Sequence, residues 1–195
     1  MKNIFKNTTL ILGLLMIAFS LGLTSCNRGD DEADDLPQEE LSDILLKVTD
    51  EATGVGITYD YQVNSTTNPN VKLVNGHTYN VEVNFKNGDE DATEEIRTAK
   101  DEHFLVYNFP NSDIVMTRTD DESSTRKDGK RVGLKTKWVV NAAVKNATAP
   151  SQLVLTLYHE PVSVSEASAV SGNGVVYGVQ SGGETDAQAT YNIIN

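Results

Sequence analysis

All three histidines in this sequence lie at the ends of predicted strands, and two of them are expected to come together. His103 begins a run in which alternate residues are apolar, and His159 ends another such run. Antiparallel neighbours place the start of one strand beside the end of the next, so both imidazoles are expected at the same end of a sheet. Two imidazoles, a carboxylate and an open position make a workable zinc or copper site.

The carboxylates that this metal hypothesis uses are Glu160, which follows the second of these histidines, and Glu184, which precedes the last predicted strand. Glu102, the sequence neighbour of His103, is a further carboxylate. The alternative is that both histidines are half-buried and hydrogen-bonded to nearby backbone. The spacing alone does not decide between these hypotheses, because the metal site depends on one strand pairing. His77, which begins another strand, is a less suitable ligand.

Other patterns that could carry chemistry are weaker. Asp89, Asp91, Thr93 and Glu95 alternate like the start of a calcium loop, but there is no Gly at the sixth position and no Glu at the twelfth. A solvated acidic loop is the alternative. The sequence contains no Gly-x-Ser-x-Gly, no His-Glu-x-x-His and no phosphate loop. We therefore predict that the protein is not an enzyme and has no cofactor other than such a metal.

The elements that must position these residues are strands. Apolar residues recur with period two, which is typical of half-buried strands. The predicted strands are residues 44–49, 55–63, 77–85, 103–109, 113–118, 131–140, 151–158 and 187–194. Turn markers such as Asn75-Gly76 and Asn87-Gly88 fall between them. The pattern predicts an all-β fold, an antiparallel, immunoglobulin-like β-sandwich over residues 44–195, with Trp138 in its core.

Two segments depart from the strand pattern. Residues 91–102 predict one short connecting helix, because Ala92, Ile96 and Ala99 fall on one helical face. Residues 162–184 are rich in Ser, Gly and Ala and have no clear period. They could form a long functional loop or contain a short edge strand, and the sequence leaves both open.

The N-terminus predicts export and lipidation. Lys2 and Lys6 precede an apolar run of 14 residues, 10–23. A helix that spans the bilayer needs about 20 residues, so residues 1–25 fit a removable signal peptide better. The Leu-Thr-Ser that precedes Cys26, the only cysteine, resembles a bacterial lipobox. That resemblance implies three fatty acyl chains of the palmitate type on Cys26, enough for stable anchoring.

Residues 26–43 are expected to be the lipidated cysteine and an acidic, disordered tether. Eight acidic residues lie in this stretch: Asp30, Asp31, Glu32, Asp34, Asp35, Glu39, Glu40 and Asp43. An acidic run after a lipidated cysteine resembles the surface-export signal of Bacteroidota lipoproteins, and a merely solubilising linker is the alternative. The net charge of −12 argues against nucleic acid as a partner.

Five segments carry a family resemblance. They are TEEI at 93–96, EHFLVY at 102–107, GLKTKW at 133–138, LTLYHEP at 155–161 and SGGETDAQATYNI at 181–193. Together they resemble small Flavobacteria-type Bacteroidota lipoproteins of unknown function, often labelled "type 1 periplasmic binding fold superfamily". The resemblance covers roughly residues 77–195 and implies an accessory role beside outer-membrane uptake receptors. It carries no catalytic or binding residues.

The sequence therefore predicts an outer-membrane lipoprotein, anchored by lipid and displayed at the cell surface, that acts as a non-enzymatic binding or accessory module for an outer-membrane receptor. One alternative is a zinc- or copper-binding lipoprotein that uses His103 and His159. Another is a structural or adhesive surface protein with no small ligand.

Overall fold

The structure is a computed structural model that describes residues 41–195. The predicted signal peptide, Cys26 and the tether up to residue 40 lie outside the described residues. The sandwich begins slightly earlier than the predicted boundary, because Leu41 packs in the core and the first strand starts at Asp43. Among the described residues, no helix has the length and apolar character needed to cross a membrane.

The described chain is an all-β sandwich with a single short α-helix, as the sequence predicts. In chain order the elements are β1 (Asp43–Asp50), β2 (Gly56–Gln62), β3 (Asn70–Lys72), β4 (Thr78–Asn87), β5 (Glu90–Asp91), α1 (Thr93–Thr98), β6 (His103–Phe109), β7 (Asp113–Arg118), a 3-10 turn (Glu122–Ser124), β8 (Lys135–Ala142), β9 (Gln152–His159), β10 (Ser163–Ser171), β11 (Gly174–Ser181) and β12 (Glu184–Ile194).

Two sheets make the sandwich. The first has the order β2-β1-β4-β8-β7, with β5 paired to β4, and the second has the order β10-β11-β6-β9-β12-β3. Strand pairs are antiparallel except for β3, which runs parallel to β12 over three residues. Alternate side chains of β1, β4, β8, β6, β9 and β12 fill the space between the sheets, as the period of two predicts.

An aromatic group lies at the centre of the core. Trp138 is fully buried, as predicted, and its ring meets the Phe109 ring edge to face at a centroid distance of 5.1 Å. Its indole N–H donates to the Thr136 hydroxyl at 2.9 Å, so the polar atom of the ring is satisfied inside the core.

Arg118 ties the two sheets together near one edge. It ends β7 in the first sheet, is 3% exposed, and donates to the backbone oxygens of Leu105 at 2.5 Å and Val132 at 2.7 Å. The guanidinium lies 4.4 Å from the centre of the Phe104 ring in the second sheet. Burial lowers the pKa of this guanidinium from its ordinary value.

The structure decides one open alternative and corrects one expectation. Residues 162–184 contain an edge strand, β10, which is longer than the short one expected and forms a hairpin with β11. The register of this hairpin shifts between Ser165 and Ser168. Most of β10 is solvent-exposed and the bulge breaks its alternation, so no period marks it in the sequence. The helix is also shorter than predicted. Glu90 and Asp91 pair with β4, and the chain leaves the helical conformation after Thr98.

Candidate functional site

His103 and His159 are direct partners in the β6–β9 ladder, so the predicted pairing at one end of the sandwich is confirmed. Their rings lie nearly parallel, with centroids 5.1 Å apart and an angle of 10° between the planes. The side chain of His103 is only 2% exposed, whereas that of His159 is 17% exposed. The first ring is therefore almost fully enclosed, and the second is partly exposed.

A hydrogen bond at the end of α1 determines which ring nitrogen of His103 carries a hydrogen. The Nδ1 atom lies 2.9 Å from the backbone oxygen of Ala99, just after the helix. A carbonyl oxygen can only accept, so Nδ1 must carry the hydrogen and donate. In the neutral ring the lone pair is then on Nε2, and this buried atom has no hydrogen-bond partner among residues 41–195.

A β-bulge brings a third side chain to the two rings. The β12–β9 register shifts between Thr185 and Ala187, which leaves Asp186 as an extra residue in the ladder. Its side chain is 6% exposed. Its Oδ2 lies 3.5 Å from Nε2 of His103, and its Oδ1 lies 3.7 Å from Nδ1 of His159. One carboxylate thus faces both imidazoles. We refer to these three residues as the His–Asp cluster.

Glu102 lies on the other side of the His159 ring. Its Oε2 is 3.9 Å from Nε2 of His159, and its side chain is 44% exposed. Its backbone oxygen accepts from the amide of Glu160 at 2.6 Å, which joins the chain after β9 to the chain before β6. A partly exposed carboxylate therefore borders the solvent side of the His–Asp cluster.

The two glutamates predicted as metal ligands lie at the surface of this end of the sandwich. Glu160 and Glu184 line an open depression together with His159 and Gly183. Glu184 is the register partner of His159, but the carboxylate that contacts both rings belongs to Asp186. Glu160 and Glu184 as metal ligands remain a prediction.

A second depression opens on the other side of the β12 start and has a volume of about 630 Å³. Its lining mixes aromatic, aliphatic and amide groups: Leu41, Tyr61, Val63, Asn64, Thr185, Asp186, Ala187 and Gln188. The bulged segment of β12 therefore separates a polar, acidic depression from a larger mixed one.

The remaining histidine and the calcium pattern lie elsewhere. Nδ1 of His77 is 2.7 Å from Asp50, and this hydrogen bond holds the pKa of the Asp50 carboxyl below its ordinary value. Asp91 accepts from the backbone N–H of Thr93 at 2.8 Å, at the start of α1. The Thr93 hydroxyl, and after it this backbone bond, lower the pKa of Asp91 from its ordinary value. In the part of the chain that the structure describes, no three His, Cys, Asp or Glu side chains are already spaced to hold a metal ion.

Sequence reasoning missed Asp186 because the last strand was predicted to begin at residue 187, which left Asp186 in the turn before it. Counted back from Tyr191 and Ala187, Asp186 falls on the outward face, and only the bulge turns it inward. The Gly182-Gly183 pair just before the strand, with φ of 66° and 73°, was the available sign of irregular backbone. No family model, no curated protein and no solved structure matches this chain.

Proposed function

We propose that this protein is a lipid-anchored, non-enzymatic binding module of a bacterial outer membrane, displayed at the cell surface. The anchor is Cys26, the only cysteine, which follows a 14-residue apolar run and two small residues. Several acyl chains on one cysteine give stable membrane attachment without a transmembrane helix. The acidic stretch after the cysteine supports outward display.

The observation that carries the binding role is the construction of one end of the sandwich. There, the bulged start of β12 lies between two depressions and places Asp186 against two histidines. Buried polar side chains in a folded core normally pair completely, and a group left without a hydrogen-bond partner needs an explanation. His103 is such a group, which supports a ligand at this end.

The partner that we propose is an outer-membrane uptake receptor, for which this module is an accessory subunit. The family resemblance of residues 77–195 supports this role, and the net charge of −12 disfavours nucleic acid. A structural or adhesive surface protein would need no ligand at the His–Asp cluster.

Acyl labelling and membrane fractionation test the anchor. The native chain, expressed in a bacterium and fed an alkyne fatty acid, should carry the label and sediment with the outer membrane. Cys26→Ser should lose the label and leave the membrane fraction. Ser25→Ala is the matched control, because it alters the neighbouring residue but keeps a small side chain and the cysteine. A labelled, membrane-bound Cys26→Ser chain would contradict lipid anchoring.

Affinity purification from detergent-solubilised outer membranes tests the accessory role. One receptor should co-purify with the native chain, and Gln188→Lys, in the mixed depression, should reduce its recovery. Val139→Lys is the matched control on the outer face of β8, where residue 139 is 39% exposed. Equal recovery with both variants would place the interface elsewhere, and absence of any receptor would favour the structural role.

A further inference from the structure

In the His–Asp cluster, a neutral His103 ring leaves the negative charge of Asp186 without a positive charge facing it. Because Nδ1 of His103 donates to Ala99, the Nε2 lone pair of the neutral ring points toward the Asp186 carboxylate at 3.5 Å. Both groups are almost completely buried. Two electron-rich atoms that face each other away from water are unfavourable unless a proton or a metal cation lies between them.

The surroundings of His159 favour the same arrangement. Its Nδ1 faces Asp186 at 3.7 Å, and the Glu102 carboxylate lies at 3.9 Å on the Nε2 side. When a metal ion occupies Nδ1, the ring proton is on Nε2, on the side of the Glu102 carboxylate. Histidines that bind metals commonly donate their other ring N–H to a carboxylate or a backbone carbonyl. His103 has a partner of the second kind, the backbone oxygen of Ala99, and the carboxylate on the Nε2 side of His159 is that of Glu102, at 3.9 Å.

The separations within the His–Asp cluster are close to the ligand–ligand distances of a small coordination polyhedron, and one of them is slightly longer. Zinc lies about 2.0–2.1 Å from imidazole nitrogen and about 2.0–2.2 Å from carboxylate oxygen, so two ligands at a tetrahedral angle are about 3.3–3.5 Å apart. The two nitrogen–oxygen distances here are 3.5 and 3.7 Å. Two neutral imidazoles with the charges of Asp186 and Glu102 suit a divalent cation.

We propose that His103 Nε2, His159 Nδ1 and Asp186 bind a divalent transition metal of the zinc or copper class. Imidazole nitrogen selects these metals over calcium and magnesium. The nearly parallel rings must open before both lone pairs reach one ion, and His159 is the ring that tilts because it is the more exposed. A further coordination position faces the depression of Glu160, Gly183 and Glu184.

This inference rests on the proposed binding role and names its ligand, but it is independent of the lipid anchor. Metal binding should persist in the Cys26→Ser chain. A native chain that binds the metal but is not anchored by lipid would contradict only the proposed localisation. Normal anchoring without metal binding would contradict only the metal site.

Titration calorimetry of the full-length chain in detergent, with Zn²⁺ and then Cu²⁺, is the test. One ion should bind per chain, and Cu²⁺ should bind more tightly than Zn²⁺. Asp186→Asn keeps the shape and removes the charge, so affinity should fall at least about tenfold, as it should for His103→Gln and for His159→Gln. Glu102→Gln should weaken binding by about tenfold, in the range of indirect partners of a metal ligand.

His77→Ala is the matched control, because it removes the histidine outside the cluster, and its affinity should stay within about twofold of the native value. Near-ultraviolet circular dichroism shows whether each variant keeps its packed core. The visible spectrum of bound Co²⁺ gives a second readout on folded variants, since nitrogen and oxygen ligands of low coordination number give intense bands. Failure of the native chain to bind zinc and copper would overturn the proposal. Native affinity in folded Asp186→Asn would also overturn it.

Discussion

His103 and His159 face each other across adjacent strands, and the carboxylate of one bulged residue contacts both rings. The pairing follows from antiparallel geometry, because the start of β6 lies beside the end of β9. The contact with Asp186 follows from the bulge, which re-aims one side chain. Regular antiparallel pairing therefore brings the two imidazole rings together, and the β-bulge adds the negatively charged carboxylate that faces both rings.

Arg118 should contribute strongly to stability. Arg118→Lys removes the planar fork that reaches the oxygens of both Leu105 and Val132, so the free energy of unfolding should fall by about 2–4 kcal/mol. Urea denaturation measures the change. Arg97→Lys is the control, since Arg97 makes only an exposed pair with Glu94, and its effect should be below about 0.5 kcal/mol. Equal effects of the two changes would contradict the role of Arg118 between the sheets.

The only tryptophan should report the core. Because Trp138 is fully buried, its fluorescence should be blue-shifted and resistant to acrylamide until the protein unfolds. Trp138→Ala should cost about 3–5 kcal/mol of unfolding free energy, whereas Val139→Ala, at an exposed position, should cost about 0.5 kcal/mol or less. Emission of the folded protein at the wavelength of solvated tryptophan would contradict the packing.

Asp120 should give stability a pH dependence of defined sign. Burial raises the pKa of its carboxyl above the ordinary value of 3.8, although one oxygen accepts from the backbone N–H groups of Gly133, Leu134 and Lys135. The folded state then binds the proton more tightly than the unfolded state. This group's contribution to stability therefore falls as pH rises from about 4 through the folded pKa.

Asp120→Asn removes this titration and keeps an oxygen acceptor. The unfolding free energy of Asp120→Asn relative to the native chain should rise with pH across the same window and then level off. Urea unfolding at several pH values between about 4 and 8 measures it. A difference that is constant or falls with pH would show that burial does not dominate at Asp120.

Gly183 should be essential to the geometry before the bulge. A Cβ there would lie 2.3 Å from the His159 oxygen, and φ is 73°. Gly129 has a similar φ of 78° but no atom within 4 Å of its Cβ position, which makes it a matched control. Gly129→Ala should cost about 1–2 kcal/mol from backbone strain alone. Gly183→Ala should cost about 1–3 kcal/mol more, because the added atom meets backbone. Thermal denaturation compares them, and equal losses would contradict the close approach.

Sequence reasoning predicts those parts of the fold where side-chain phase is regular. The strand at His103–Phe109 and the one at Asp113–Arg118 are predicted to the residue, because each has a clear apolar pattern and a turn beside it. Strand β3 is missed because its three residues are too short to show a period. The β10–β11 hairpin is missed because its exposed, small side chains carry no burial pattern.

In the candidate site, too, sequence reasoning predicts the residues whose side-chain phase is regular. The paired histidines are predictable, because both lie in phase with buried residues. Asp186 is not, because a bulge changes which face a residue occupies without changing the residue types around it.

The imidazole tautomers provide the most direct measurement. Long-range nitrogen–proton NMR spectra of the neutral, metal-free rings should show the proton of His103 on Nδ1, where it donates to the Ala99 oxygen. One equivalent of Zn²⁺ should then shift Nε2 of His103 and Nδ1 of His159, and leave His77 unchanged. A proton on Nε2 of His103, or zinc that shifts neither nitrogen, would contradict a cation site at Asp186.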